Sequence, residues 1–156
     1  MKGNPKVIEV LNKAREQELF AIQQYMLHHY ELEDQDYGKL ADYLKKIAIV
    51  EMRHAEMLAE RILFLEGEPV TKPPGQIQRG QDIAELVKND LELEYGAIRN
   101  YNEYAKVCEA EGDNASKQLF QELLLQEEGH ADDFEDVSDH LAKLGNDYIA
   151  GLTTKP

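Results

Sequence analysis

The sequence predicts an all-α four-helix bundle with a long crossover between its second and third helices and a short fifth helix near the C-terminal end. Three observations support that prediction. Apolar residues recur at helical spacing along four long stretches. The stretch richest in proline and glycine falls between the second and third of them. The two halves also repeat: Glu51 and His54 return as Glu127 and His130 at one constant offset, and Glu18 and Glu94, each equally far ahead of its leading Glu, are separated by that same offset. The neighbours follow, because Glu18, Ala21, Ile22 and Tyr25 align with Glu94, Ala97, Ile98 and Tyr101. The chain therefore reads as one helix pair duplicated once, not as a solenoid.

The first helical stretch opens at Pro5, a residue suited to a first turn, and carries Ile8, Leu11, Ile22, Tyr25 and Leu32 to about Asp34. Glu18 falls on this inward stripe, where a carboxylate is costly unless it is paired or binds a cation. After a turn at Asp34–Gly38, a second stripe runs through Leu40, Leu44, Ile47, Glu51, His54, Ala55, Leu58, Ile62 and Leu65, and stops near Gly67 and Pro69. Residues 66–81 hold Pro69, Pro73 and Pro74 with Gly67, Gly75 and Gly80, so they cannot form a helix. A connector of that length can run the length of a bundle and leave the third helix parallel to the second.

The third stretch starts near Asp82, a good cap, and places Ile83, Leu86, Leu91, Glu94, Ile98, Tyr101 and Ala105 on one side before Glu111-Gly112 ends it. The fourth runs from about Ala115 to Leu144 through Leu119, Leu123, Glu127, His130, Phe134, Val137 and Leu141, closed by Gly145-Asn146. The tail from Asp147 to Pro156, with Tyr148, Ile149 and Leu152, has room for a stubby fifth helix. These three apolar residues, together with outer stripes on the first two helices, call for burial beyond one bundle.

At 156 residues, 42% apolar and 31% charged, the chain has the composition of one folded domain spanning residues 1–156 rather than of a disordered segment. No apolar run reaches membrane-spanning length, and the start lacks a signal peptide's hydrophobic segment. No membrane is expected as a partner, and the expected location is the cytoplasm. A lone Cys108 rules out an intrachain disulfide framework and reads as a small buried core residue. A formal net charge of −14 disfavours nucleic acid and favours metal cations or basic partners.

On a helix, Glu and His three positions apart share one face, so a carboxylate oxygen and an imidazole nitrogen can reach one metal ion. One such pair is a common surface accident. Two pairs, each preceded by a Glu at the same distance and all on core faces, are not. Glu18, Glu51, His54, Glu94, Glu127 and His130 bring four carboxylates and two imidazoles to one level of the core, and two divalent first-row metals cancel the four negative charges. This donor pattern is the established one of ferritin-like di-iron and di-manganese carboxylate bundles. Tyr25 and Tyr101, two turns beyond Glu18 and Glu94, are placed to hydrogen-bond a ligand carboxylate or pass an electron. As core aromatics they need neither role. His28, His29 and His140 lack such spacing and read as surface or packing residues.

The sequence resembles the bacterioferritins, the haem-containing ferritins, over nearly its whole length. The resemblance rests on Met1-Lys2-Gly3, Leu11-Asn12-Lys13, Glu18-Leu19, Gln24-Tyr25 and Leu27-His28. It continues through Glu51-Met52, His54-Ala55, Glu60 to Gly67, and Glu127-Glu128-Gly129-His130. It implies a ferritin-like four-helix bundle with those six residues as ligands of a di-iron ferroxidase centre, Glu51 and Glu127 bridging. It also implies a 24-subunit shell, built from dimers, that oxidises Fe(II) with O2 or H2O2, stores a ferric mineral, and draws on an electron-donor protein for iron release.

It further implies haem b shared between two subunits, with Met52 of each as axial ligand. Met52 is turned about 100° from Glu51 on a helix, onto a second stripe with Ile49, Ala59 and Leu63, and Leu19 and Met26 form a similar stripe on the first helix. Some members carry a His and an Asp on the inner side of the second helix, where this chain has Lys46 and Val50, and many have Trp-Gly where it has Tyr37-Gly38. A non-storing di-metal oxidase or peroxidase of the rubrerythrin-like type is the alternative. Such proteins add a cysteine-rich iron domain, which a single cysteine cannot supply.

Overall fold

The computed structural model describes all 156 residues and is helical throughout its regular structure. Four long helices, α1 (Pro5–Asp34), α2 (Gly38–Phe64), α3 (Ile83–Ala110) and α4 (Asn114–Leu144), are followed by the short α5 (Asn146–Ala150). The boundary chemistry is the expected one. Asn4 caps α1 through Lys6 N with Pro5 in the first turn, and Asp82 and Glu85 form a reciprocal capping box at α3. Gly145, with φ of 53°, supplies the left-handed residue that ends α4.

Side-chain pairs give the packing directions. Tyr25 reaches Glu94 and Tyr101 reaches Glu18, so α1 and α3 run antiparallel; Arg61 with Asp113 and His54 with Glu127 make α2 and α4 antiparallel. Since α1 and α2 are joined by a tight turn, α2 and α3 point the same way, as the crossover length anticipates.

The crossover is irregular, yet its backbone polar groups find partners on α1. Asn12 accepts from Val70 N and donates to Glu68 O, and Arg15 Nε donates to Val70 O. Gln24 binds Gln78 N and O at 2.7 and 3.0 Å, and Glu31 accepts from Gly80 N.

The buried stripe of α1 is Val7, Leu11, Ala14, Glu18, Ala21, Tyr25, His28 and Leu32, a strict alternation of three and four positions. Ile8 and Ile22, expected on it, lie one position off and are only half-buried, because the seam follows the heptad repeat. On α3 the seam takes Asp90, Ala97 and Cys108, while Leu91, Ile98 and Ala105 sit beside it. The core then divides into two apolar clusters. One is centred on Tyr25, Leu44, Leu86 and Phe134, and the other on Leu11, Leu58, Tyr101 and Phe120.

The tail folds back on its own chain: Lys39 N donates to Leu152 O and Leu152 is buried, so this residue needs no neighbour to cover it. Replacing Phe134, which packs on Tyr25 and Tyr43 at centroid distances of 6.0 and 5.9 Å, should be costly. Phe134→Ala is expected to lower stability by about 3–5 kcal/mol in denaturant unfolding at fixed protein concentration. A loss below about 1 kcal/mol would show that the cluster does not hold this end of the bundle.

Candidate metal centre

Between the two apolar clusters lies a polar layer built by all four long helices. It holds Glu18 from α1, Glu51 and His54 from α2, Glu94 from α3, and Glu127 and His130 from α4. The structure thus brings together all six residues picked out by spacing. Five are buried to 1–2% exposure. His130 is the most open, with its side chain 13% exposed. Two overlapping groups form, Glu18, Glu51, His54, Glu127 and Glu51, Glu94, Glu127, His130, each offering ligand atoms within 4.8 Å of one another. Glu51 and Glu127 belong to both.

The duplication becomes an internal two-fold axis. His54 Nδ1 lies 2.9 Å from Glu127 Oε1, and His130 Nδ1 lies 3.0 Å from Glu51 Oε1, each imidazole reaching a carboxylate of the other half. Tyr25 donates to Glu94 Oε1 at 2.5 Å, and Tyr101 donates to Glu18 Oε1 in the same reciprocal way. Of the roles open to these tyrosines, the structure shows the carboxylate-orienting one. Each phenol holds one oxygen of its Glu and leaves the other free.

The layer is unfinished in hydrogen-bonding terms. Both oxygens of Glu51, and Nδ1 of His130, are buried without an aligned hydrogen-bond partner. His130 and Glu51 are close enough to attract but not directed at one another. Buried polar atoms left this way cost about 1–3 kcal/mol each. A cation between them would satisfy all three, and carboxylates with imidazoles are the donors that suit divalent first-row metals. The residues present therefore fit a pair of such ions.

The electrostatics agree. Burial pushes Glu18 and Glu94 well above the usual carboxylate range, with the neighbouring carboxylates adding to it. Burial works against a charged His54 and His130, but the surrounding glutamates outweigh it. His54 is raised strongly, and His130 is pushed up to about 12. Burial also opposes the charge of Glu127, yet the two histidines overcome it and hold this carboxyl below its ordinary value. The layer thus balances itself with protons that a metal must displace.

A cavity of about 230 Å³ between α1 and α3 leads from Gln17, Phe20, Pro74 and Leu93 down to these carboxylates. Elsewhere, Met52 is 57% exposed, turned away from the layer as its helix position requires. It lines a groove of about 570 Å³ with Leu19, Ile22, Ile49, Ala59 and Arg53.

Spacing does not reveal His28. It is fully buried, with Nδ1 at 2.9 Å from Asp90 Oδ2 and Nε2 at 3.0 Å from Gln81 Oε1, tying α1, α3 and the crossover together. The heptad seam of α1 passes through position 28 and is the one available signal. His29 packs on Ala41 O, and His140 stacks on Tyr148. Cys108 is buried, and burial pushes its thiol up to about 11, which suits a core residue. No helix is long and apolar enough to cross a membrane.

Because His54, His130, Glu18 and Glu94 hold protons more tightly than they do when free, metal binding should release protons, and affinity should rise with pH. Calorimetric titration with Zn(II) in buffers of differing ionisation heat should show about one proton or more lost per ion near neutral pH. No buffer dependence would contradict the charge balance described.

The comparisons with known proteins point one way. The family model for a ferritin-like domain matches residues 8–144. The bacterioferritin of Desulfovibrio desulfuricans is 45% identical over 97% of this chain and 84% of its own, and that of Brucella melitensis 44% over 100% and 97%. The X-ray structure of the Desulfovibrio desulfuricans protein, described with its diiron site in different catalytic states, superposes with a TM-score of 0.94 at 43% identity, covering 99% of this chain and 93% of that one. The structure of Rhodobacter capsulatus bacterioferritin, described with a metal-free dinuclear site and a heme iron in a crystallographic special position, gives 0.95 at 38% identity, covering 100% and 98%. With such similarity along its whole length, the chain belongs to the bacterioferritin family of ferritin-like proteins.

Proposed function

We propose that the chain, acting as one domain over residues 1–156, is the subunit of an iron-storage protein with a di-iron ferroxidase centre. It takes up Fe(II) as substrate, oxidises it, and holds the ferric product as a mineral inside a closed shell of 24 subunits built from dimers. The observation that carries this reading is the pair of overlapping donor groups that share Glu51 and Glu127. Glu18 and His54 would complete one metal position and Glu94 and His130 the other, with Glu51 and Glu127 available to both. The relatives' di-iron and haem sites support it.

Bound iron supplies the redox chemistry, each Fe(II) giving up one electron to O2 or H2O2. The chain's residues do the rest. Four carboxylates favour the more highly charged product ion, and their mutual repulsion draws two cations into a buried layer. Tyr25 and Tyr101 orient the terminal carboxylates Glu94 and Glu18. The narrow cavity beside Gln17 and Phe20 limits bulk water at the site.

The groove at Met52 fits haem b shared between two subunits. Its floor is apolar, Met52 presents a thioether, and Arg53 at the edge complements carboxylates. Thioether ligation raises a haem's potential, which suits electrons passing inward from an electron-donor protein to release iron. Ile49, Met52 and Leu63, exposed together on α2, give the dimer an apolar face to bury. The location that suits this role is the cytoplasm.

Anaerobic Fe(II) titration should break near two ions per chain, and Glu51→Ala, which removes a donor shared by both positions, should abolish that break and slow oxidation by at least about a hundredfold. A break at one, or an unaltered variant, would refute the assignment. Met52→Leu conserves volume and touches no iron ligand, so it should remove the haem absorption band while leaving Fe(II) oxidation within about twofold. A variant that keeps the band would make Met52 a packing residue.

A further inference from the structure

The two halves of the centre are not held alike. His54 turns Nδ1 toward the carboxylates, and its Nε2 lies 3.0 Å from Oε1 of Gln126. A carboxamide oxygen only accepts, so Nε2 carries a proton, and Nδ1 is the atom offered to a metal. Exchanging the halves along the repeat, which carries Glu127 to Glu51, carries Gln126 to position 50. That position holds Val50, whose side chain has no hydrogen-bonding atom.

His130 accordingly lacks the anchor. Its Nε2 makes no hydrogen bond to the protein, and its side chain is 13% exposed against 1% for His54. The other paired elements are kept: Glu18 with Glu94, Glu51 with Glu127, Tyr25 with Tyr101. One difference between the halves therefore lies at the outer nitrogen of each imidazole, held by Gln126 in His54 and unheld in His130.

We infer that Gln126 is a positioning residue that fixes the tautomer and ring angle of His54. It thereby makes the metal position built on Glu18 and His54 bind more tightly than the one built on Glu94 and His130. The inference rests on the di-metal reading above and deepens it. An imidazole already held at its outer nitrogen loses less freedom on coordination and is a better donor, and such outer contacts are worth about 10–100-fold in metal affinity. The centre then fills in a set order, and the ion beside His130 is the first to exchange.

Co(II), whose visible absorption reports coordination without turnover, is the probe. Titration of the full-length assembled protein should show two steps of one Co(II) per chain, separated by at least about tenfold in Kd. Gln126→Leu, on the exposed face of α4, should weaken the tighter step about tenfold and bring the two together. Gln126→Glu, which keeps an acceptor oxygen, should leave them apart, and Val50→Gln should tighten the weaker step. Equal steps in the unaltered protein, or a Gln126→Leu variant with unchanged steps, would overturn the inference and leave the di-metal reading standing. Fewer than two Co(II) per chain would overturn both.

Discussion

Four carboxylates and two imidazoles share one buried layer, and the rest of the fold is arranged around the cost of putting them there. An isolated ionised group in such a place loses several kcal/mol of hydration. Here the charge is shared across the halves: His54 lies 2.8 Å from Glu51 of its own half and 2.9 Å from Glu127 of the other, and His130 lies 3.0 Å from Glu51 across the layer. Two solid apolar clusters, one on each side, hold this layer together against its own repulsion.

The sequence repeat and the electrostatic layer are one design. Duplicating a helix pair that carries Glu on one helix and Glu-x-x-His on the other, and docking the copies about a two-fold axis, brings six donors to one level. Two of them are automatically shared. The crossover makes that docking possible by returning the chain to the starting end of the bundle. Its irregular backbone stays close to α1 because Asn12, Arg15, Gln24 and Glu31 supply the hydrogen bonds that regular structure would have supplied.

Much of this is legible in the sequence, for identifiable reasons. The four long helices and the crossover follow from apolar periodicity and from proline and glycine placement, and Asp82 and Gly145 mark helix ends through their own chemistry. The six donors stand out because duplication repeats their spacing. Periodicity places the α1 and α3 seams one position off at Ile8, Ile22, Leu91, Ile98 and Ala105. The period of a straight helix and that of a heptad seam diverge over many turns, and the true seam spends positions on Ala14, Ala97 and Asp90, which hydropathy does not flag. His28 is hidden because its partners, Asp90 and Gln81, are remote in sequence. Gln126 lies inside the repeated motif, but only a contact reveals what its amide does.

The central claim is that the two halves jointly build a site for two metal ions. Diffraction from crystals loaded with a single divalent metal, recorded at that metal's absorption edge, tests it most directly. Two anomalous peaks per chain, about 3.5–4 Å apart and both within bonding distance of Glu51 and Glu127, are the expected result. One central peak, or metal only on the acidic surface, would contradict it.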